Sequence, residues 1–174
     1  MLSMLSRPNK ASGFTLIELM FSIVVLVILL TLAMPSFQTW LQNIQIRNAT
    51  GSILAGIQRA RAEAVGRNTS ITFVMADDSS WTINVATPAS VIETRAASEG
   101  SQNVTRTVLP AGATTITFNS LGVIVPNGDA SATLTQVDLA AIGGDRNLRI
   151  TIGAGGNAKM CDPSLPSGSS LSAC

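Results

Sequence analysis

The chain contains no histidine and no tyrosine, and only two lysines, Lys10 and Lys159. Histidine is the commonest general base and metal ligand, so the plentiful serines and threonines have no imidazole to activate them. That shortage argues against a hydrolase, the rival reading from the enzyme class. Charge is also sparse: eleven basic and ten acidic side chains in 174 residues give no global pull toward nucleic acid or acidic substrates. Cysteine occurs only at Cys161 and Cys174, inside the last fourteen residues. Two half-cystines closing a short terminal loop read as a disulfide and an oxidising compartment, the alternative being two free buried thiols. No histidine or third cysteine could complete a zinc-type ligand set, and no cofactor or metal is expected. Asp77-Asp78 could meet a divalent cation, but a surface turn is favoured.

What the chain does have is a long apolar run. From Phe14 to Met34 it holds 21 residues with a single charge, Glu18, directly after a short leader carrying Arg7 and Lys10. At 1.5 Å per residue such a run crosses a hydrocarbon core of roughly 30 Å. A charge at that depth costs roughly 2.5–3.5 kcal/mol on insertion scales, so Glu18 needs a reason, and the usual one is a partner charge. A secretory signal peptide has a shorter apolar core and a small-residue cleavage site, which disfavours it here. A generic single-span anchor explains the length but neither Gly13 nor Glu18. Positive charge before the span, with only Arg47 close after it, places the leader in the cytoplasm and the rest of the chain outside. That is also the side on which a disulfide forms.

Gly13-Phe14-Thr15-Leu16-Ile17-Glu18, after the basic leader, resembles the class III signal of type IV pilins and type II secretion pseudopilins. The resemblance implies that a prepilin peptidase cuts between Gly13 and Phe14 and that Phe14 is then N-methylated. It further implies that Glu18 meets the N-terminal amine of a neighbouring subunit. Losing Arg7 and Lys10 would leave nine basic groups against ten acidic ones.

Beyond Pro35, which should kink or loosen a helix, residues 36–67 turn amphipathic. Ile53, Ile57, Ala60 and Ala64 trace one face at helical spacing. Arg59, Glu63 and Arg67 stand four apart as ion-pair partners. Gly51 and Gly56 each weaken a helix by about 1 kcal/mol relative to alanine. One helix over 14–67 would be on the order of 80 Å long. From Ser70 the period changes to two. Ile71-Phe73-Met75 and Trp81-Ile83-Val85 predict a hairpin around Asp77-Asp78-Ser79. Residues 87–103 read as a loop. Strands are expected at 104–109, 114–120, 123–125, 133–139 and 148–152, followed by a Gly153–Gly156 break and the cysteine-bounded tail. Trp81 reads as a packing residue rather than a ligand platform. The fold class is α+β, with an antiparallel sheet covering the apolar stripe of a long helix. The expected divisions are a leader at 1–13, a membrane helix at 14–34, an amphipathic half at 35–67 and a β-rich domain at 68–174.

Gln58-Arg59-Ala60-Arg61-Ala62-Glu63-Ala64-Val65-Gly66-Arg67 is similar to the helix signature of the GspH/FimT group of pilin-like proteins. Its arginine, Glu-Ala pair and later arginine fall at Arg59, Glu63, Ala64 and Arg67. A strand at Ile71–Val74, Trp81 and Phe118-Asn119-Ser120-Leu121-Gly122 also fit. Where family members often have a glycine two or three residues after the tryptophan, this chain has Thr82-Ile83-Asn84, a departure that puts the hairpin's details in question. The resemblance implies a pilin-like fold and a low-copy minor subunit that initiates or caps a filament. Its partners would be other pilins or pseudopilins, an inner-membrane assembly platform, and membrane lipid before assembly. A cysteine-bounded tail is more typical of the pilus branch than of the H pseudopilin of type II secretion. Uptake pilins of this group bind DNA through C-terminal arginines in a Gly-Arg-x-Arg pattern. Gly155-Gly156-Asn157-Ala158-Lys159 offers one cation there, with Arg146 and Arg149 nearby and Asp145 and Asp162 to offset them, so DNA is not the favoured partner.

Overall fold

A computed structural model describes residues 13–174; the leader, apart from Gly13, lies outside the described residues. Two compact units divide the chain, the first ending at Phe37 and the second running from Gln38 to Cys174. Helix α1, Leu16–Arg67, contributes to both and continues through Pro35.

In the first unit every described residue is exposed. Leu16, Phe21, Leu29 and Leu32 stand open on different sides of the helix. A helix apolar all round has no face to bury against its own chain, which marks it for lipid or for neighbouring helices. It is the one helix among the described residues long and apolar enough to cross a membrane, with a mean hydropathy of 2.8 over its most apolar window.

In the second unit the helix buries one stripe: Ile46, Ala49, Thr50, Ile53, Gly56, Ile57, Ala60 and Ala64. Steps of three and four keep these residues on a single face. The helix ends in a Schellman motif. Asn68 takes a positive φ of 50°, Thr69 N–H reaches the Ala64 carbonyl at 3.2 Å, and Asn68 N–H reaches that of Val65 at 3.3 Å. Asparagine tolerates this left-handed position better than most residues, so the chain turns off sharply into the first strand.

The strands are β1 (Ile71–Met75), β2 (Trp81–Val85), β3 (Ser90–Arg95), β4 (Val104–Leu109), β5 (Thr115–Phe118), β6 (Ile124–Val125), β7 (Gln136–Ala141), β8 (Leu148–Ile152) and β9 (Ala158–Cys161). They form two antiparallel sheets rather than one, in the orders β3-β2-β1-β5-β6 and β4-β7-β8-β9. The helix stripe and the inner faces of both sheets share one core. In the first sheet the register sets Phe73 opposite Ile83 and Ile116, and Ile71 opposite Val85 and Phe118. In the second, Val137 lies opposite Val108 and Ile150. Each large side chain fully buried there contributes roughly 1.5–3 kcal/mol.

The sheets are joined by a latch. Leu134 N–H bonds Thr115 O at 3.0 Å, beside a parallel bridge between Thr115 and Thr133. Buried Asn127 accepts from the Thr117 hydroxyl at 2.9 Å. Its amide nitrogen lies within hydrogen-bond distance of Thr115 O and Ser131 O.

Three expectations change. Residues 87–103 are not all loop, because β3 lies within them and pairs with β2 as an edge strand. Gly153–Gly156 does not end the sheet; Gly153 N–H bonds Asn157 O at 2.8 Å, and the chain returns as β9 against β8. The 133–139 strand is displaced to Gln136–Ala141, with Thr133 kept only as the bridge to β5. The two carboxylates of the first hairpin turn are engaged by protein groups. Asp78 accepts from Ser80 N–H at 2.7 Å and from its hydroxyl, which holds its pKa below the ordinary value. Asp77 pairs with Arg106 at 3.0 Å.

Candidate functional site

The chemistry-bearing residues fall into three places. At the start of α1, Thr15 caps the helix, its hydroxyl accepting Glu18 N–H at 3.3 Å. Thr15-x-x-Glu18 is the sequence form of a capping box, and a carboxylate in the first turn suits the helix dipole. The capping role of Thr15 went unread in the sequence although this spacing encodes it. Among the described residues the Glu18 carboxylate makes no hydrogen bond or ion pair; only its backbone groups are engaged. It stands exposed beside Gly13 and Phe14, themselves exposed.

The second place is the end of α1. Glu63 sits between Arg67 at 2.6 Å and Arg59 at 3.6 Å, and Arg59 also reaches Glu93 of β3 at 2.9 Å. The Arg67 hydrogen bond comes first in holding the Glu63 pKa below its ordinary value. Ala64 is fully buried on the opposite side of the helix. Arg61 points elsewhere and donates from Nε to the Gly122 carbonyl at 3.0 Å. Gly122 has φ +71°, and a Cβ there would lie 3.1–3.2 Å from Val65 and Arg61. The Asn119 side chain shapes this turn by accepting from Leu121 and Val123 N–H at 3.0 and 3.1 Å. Gly156, from the β8–β9 turn, packs on the Gly122 carbonyl, where a Cβ would collide with it. Sequence reading marked the two motifs separately but missed their junction through Arg61, Gly122 and Gly156. Nearby, Trp81 is buried and donates its indole N–H to Ser52 at 2.9 Å. The Thr82-Ile83-Asn84 departure coincides with a register shift between Ile83 and Asn84 against β3.

The third place is the C-terminal loop. Cys161 and Cys174 are bonded to each other, and Asp162 organises the chain between them. Its carboxylate accepts from Ser164 N–H at 2.9 Å and from the Ser164 hydroxyl, so its pKa is lowered. Its N–H bonds Ser172 O at 2.7 Å. The three cations considered for DNA do not converge with equal freedom. Arg149 is held by Asp138 at 2.6 and 3.0 Å; that bond raises its pKa and occupies its fork. Asp145, expected to offset the arginines, instead accepts from Asn43 at 2.6 Å. Lys159 and Arg146 are exposed. Among the described residues no three His, Cys, Asp or Glu side chains gather as a metal-binding group.

One exposed apolar helix with a lone carboxylate at its start, continuing as a half-buried helix under antiparallel sheets, defines a pilin-like subunit. The chain belongs to the family described as Type II transport protein GspH, which matches residues 49–156, and it carries the prokaryotic N-terminal methylation motif over residues 8–34. Its fold is similar to that of the type IV minor pilin FimU of Pseudomonas aeruginosa. That match has a TM-score of 0.52 and 20% identity, and covers 68% of this chain and 97% of FimU. It is equally similar to the minor pseudopilin EpsH of the type 2 secretion system of Vibrio cholerae, with a TM-score of 0.53 and 13% identity, covering 70% of this chain and 99% of EpsH. No curated protein sequence matches it. Pilin and pseudopilin families consist of structural, non-enzymatic subunits.

Proposed function

We propose that the chain is a minor pilin that initiates or caps a type IV pilus, made as a precursor and processed by prepilin peptidase between Gly13 and Phe14. Residues 1–13 are then the leader, 14–34 the span of the bacterial inner membrane, 35–67 the amphipathic half and 68–174 the periplasmic domain. The observation that carries this reading is the exposed apolar helix whose only charge, Glu18, has no partner of its own among the described residues. Cleavage frees the Phe14 amine, and Glu18 of an adjacent subunit or of the same one neutralises it in the apolar layer. Such a pair adds little net stability, but either charge alone is costly there, so pairing sets the axial register of subunits. Once assembled, the apolar surface is covered by other pilins instead of lipid. No catalytic step is assigned to the chain.

The test separates charge from capping. Glu18→Gln keeps a side chain able to cap the helix, whereas Glu18→Ala removes both roles. Both variants should be inserted and cleaved yet absent from purified filaments. Normal incorporation of Glu18→Gln would refute neutralisation. Mass spectrometry of the mature N-terminus reads cleavage and methylation of Phe14. The disulfide-closed tail supports the pilus over the alternative, an H-type pseudopilin in a type II secretion pseudopilus; the likeness to EpsH favours that alternative. Incorporation into pili or into pseudopili decides between them. DNA uptake is a lesser reading. With Arg149 engaged by Asp138, Arg146 and Lys159 would give only weak, salt-sensitive binding.

A further inference from the structure

Within the second unit a groove of about 400 Å³ is lined by Trp40, Asn43, Ile44, Arg47, Asp145 and Arg146, among others. Trp40 is 56% exposed, and Arg47 and Arg146 are exposed. Neither arginine forms an ion pair among the described residues. The one carboxylate in the groove, Asp145, is tied to the Asn43 amide. An indole flanked by two cations and a weakly countered carboxylate has the chemistry of a membrane–water boundary. Tryptophan is enriched there because its ring is apolar and its N–H polar, and arginine pairs with lipid phosphate. Chain connectivity brings the two together. Trp40 follows Met34, the end of the apolar run, by six residues, a reach of at most about 20 Å even when fully extended.

We propose that this groove is a lipid-docking site, in which Trp40 enters the headgroup layer while Arg47 and Arg146 hold the phosphates of anionic lipids before the subunit is extracted into a filament. The inference rests on the membrane-anchor reading above. It adds that the domain is oriented on the bilayer surface, not merely tethered to it. Each arginine near an anionic surface shifts the docked-to-undocked ratio by about fivefold, an effect that salt screens.

The test uses the full chain reconstituted in vesicles of phosphatidylcholine alone or with phosphatidylglycerol, with lipids brominated near the headgroup. Flotation reads anchoring. Quenching of Trp40, corrected with a Trp40→Phe control, reads docking; Trp81, 4% exposed in the core, supplies a steady background. Flotation with both lipids is expected, with stronger Trp40 quenching in the anionic vesicles. The Arg47→Gln and Arg146→Gln variants should each lower the docked ratio about fivefold. Flotation without quenching, or quenching equal in both vesicles and unchanged in the variants, would overturn lipid docking while leaving the anchor intact. Failure to float in either lipid would overturn the anchor reading and this inference with it.

Discussion

The two halves of α1 are built from similarly apolar residues and meet different fates. Up to Phe37 the side chains are apolar on every side, and none is buried. From Ile46 onward, apolar residues occupy one stripe and several reach zero exposure, while Arg59, Glu63 and Arg67 take the outer face. Hydrophobicity alone therefore does not decide whether a helix packs on its own domain; the arrangement around the axis does. A stripe can be covered by a sheet, whereas an all-round apolar surface needs a surrounding medium.

Matched substitutions break this comparison most strongly. Ile57→Ala, at a fully buried position, should destabilise the domain by about 2–5 kcal/mol. Ile23→Ala, 52% exposed in the first half, should leave domain unfolding unchanged. Urea melts of the two variants in detergent, followed by the fluorescence of buried Trp81, give the contrast. Equal losses would mean that the halves are not distinct. The glycines sharpen the point with opposite signs. A Cβ on Gly56 would lie 2.9 Å from the Phe73 ring and 3.0 Å from Trp81, so Gly56→Ala should cost about 1–3 kcal/mol. Gly51 has nothing within 4 Å, and Gly51→Ala should stabilise by up to about 1 kcal/mol through helix propensity. Thermal melts of both variants check the sign.

Asn127→Ala asks whether the sheets lean on each other as much as on the helix. Removing the amide leaves the Thr117 hydroxyl and loop carbonyls unsatisfied, at about 1–3 kcal/mol. Hydrogen exchange should show faster opening of β5 and of the 127–134 segment. The smallest effect concerns pH. Glu63 has its pKa lowered below 4.5 by Arg67, so its contribution is complete above that value and fades as pH falls through the lowered one. Glu63→Gln should remove that part of the acid sensitivity, on the scale of about 0.2–0.5 kcal/mol for a helical ion pair. Melts at pH 7 and pH 3 should lie closer together in the variant than in the parent.

How much of this was legible depended on how local the signal was. The helix stripe, the β1–β2 hairpin, β4 and β8 follow from periodicity in short windows. β3 escaped because an edge strand is exposed on much of its surface, so Ser90–Arg95 carries no clean alternation. β9 escaped because it has four residues and only Cys161 fully buried. The division into two sheets depends on pairings distant in sequence, such as β4 with β7, which no local period encodes. At the candidate site, Gly13, Glu18 and the cysteines could be picked out individually. Gly56 read as a helix weakness because the rings of Phe73 and Trp81 come to it from elsewhere in the chain.

Arg61, Gly122 and Gly156 join the helix to a turn of each sheet at a point with no space for an added methyl group. A pull along the helix therefore reaches both sheets at the same spot, and a side chain forced into either turn would loosen the opposite one. The subunit carries load as one piece because three separate stretches of chain are riveted there by the smallest residue available.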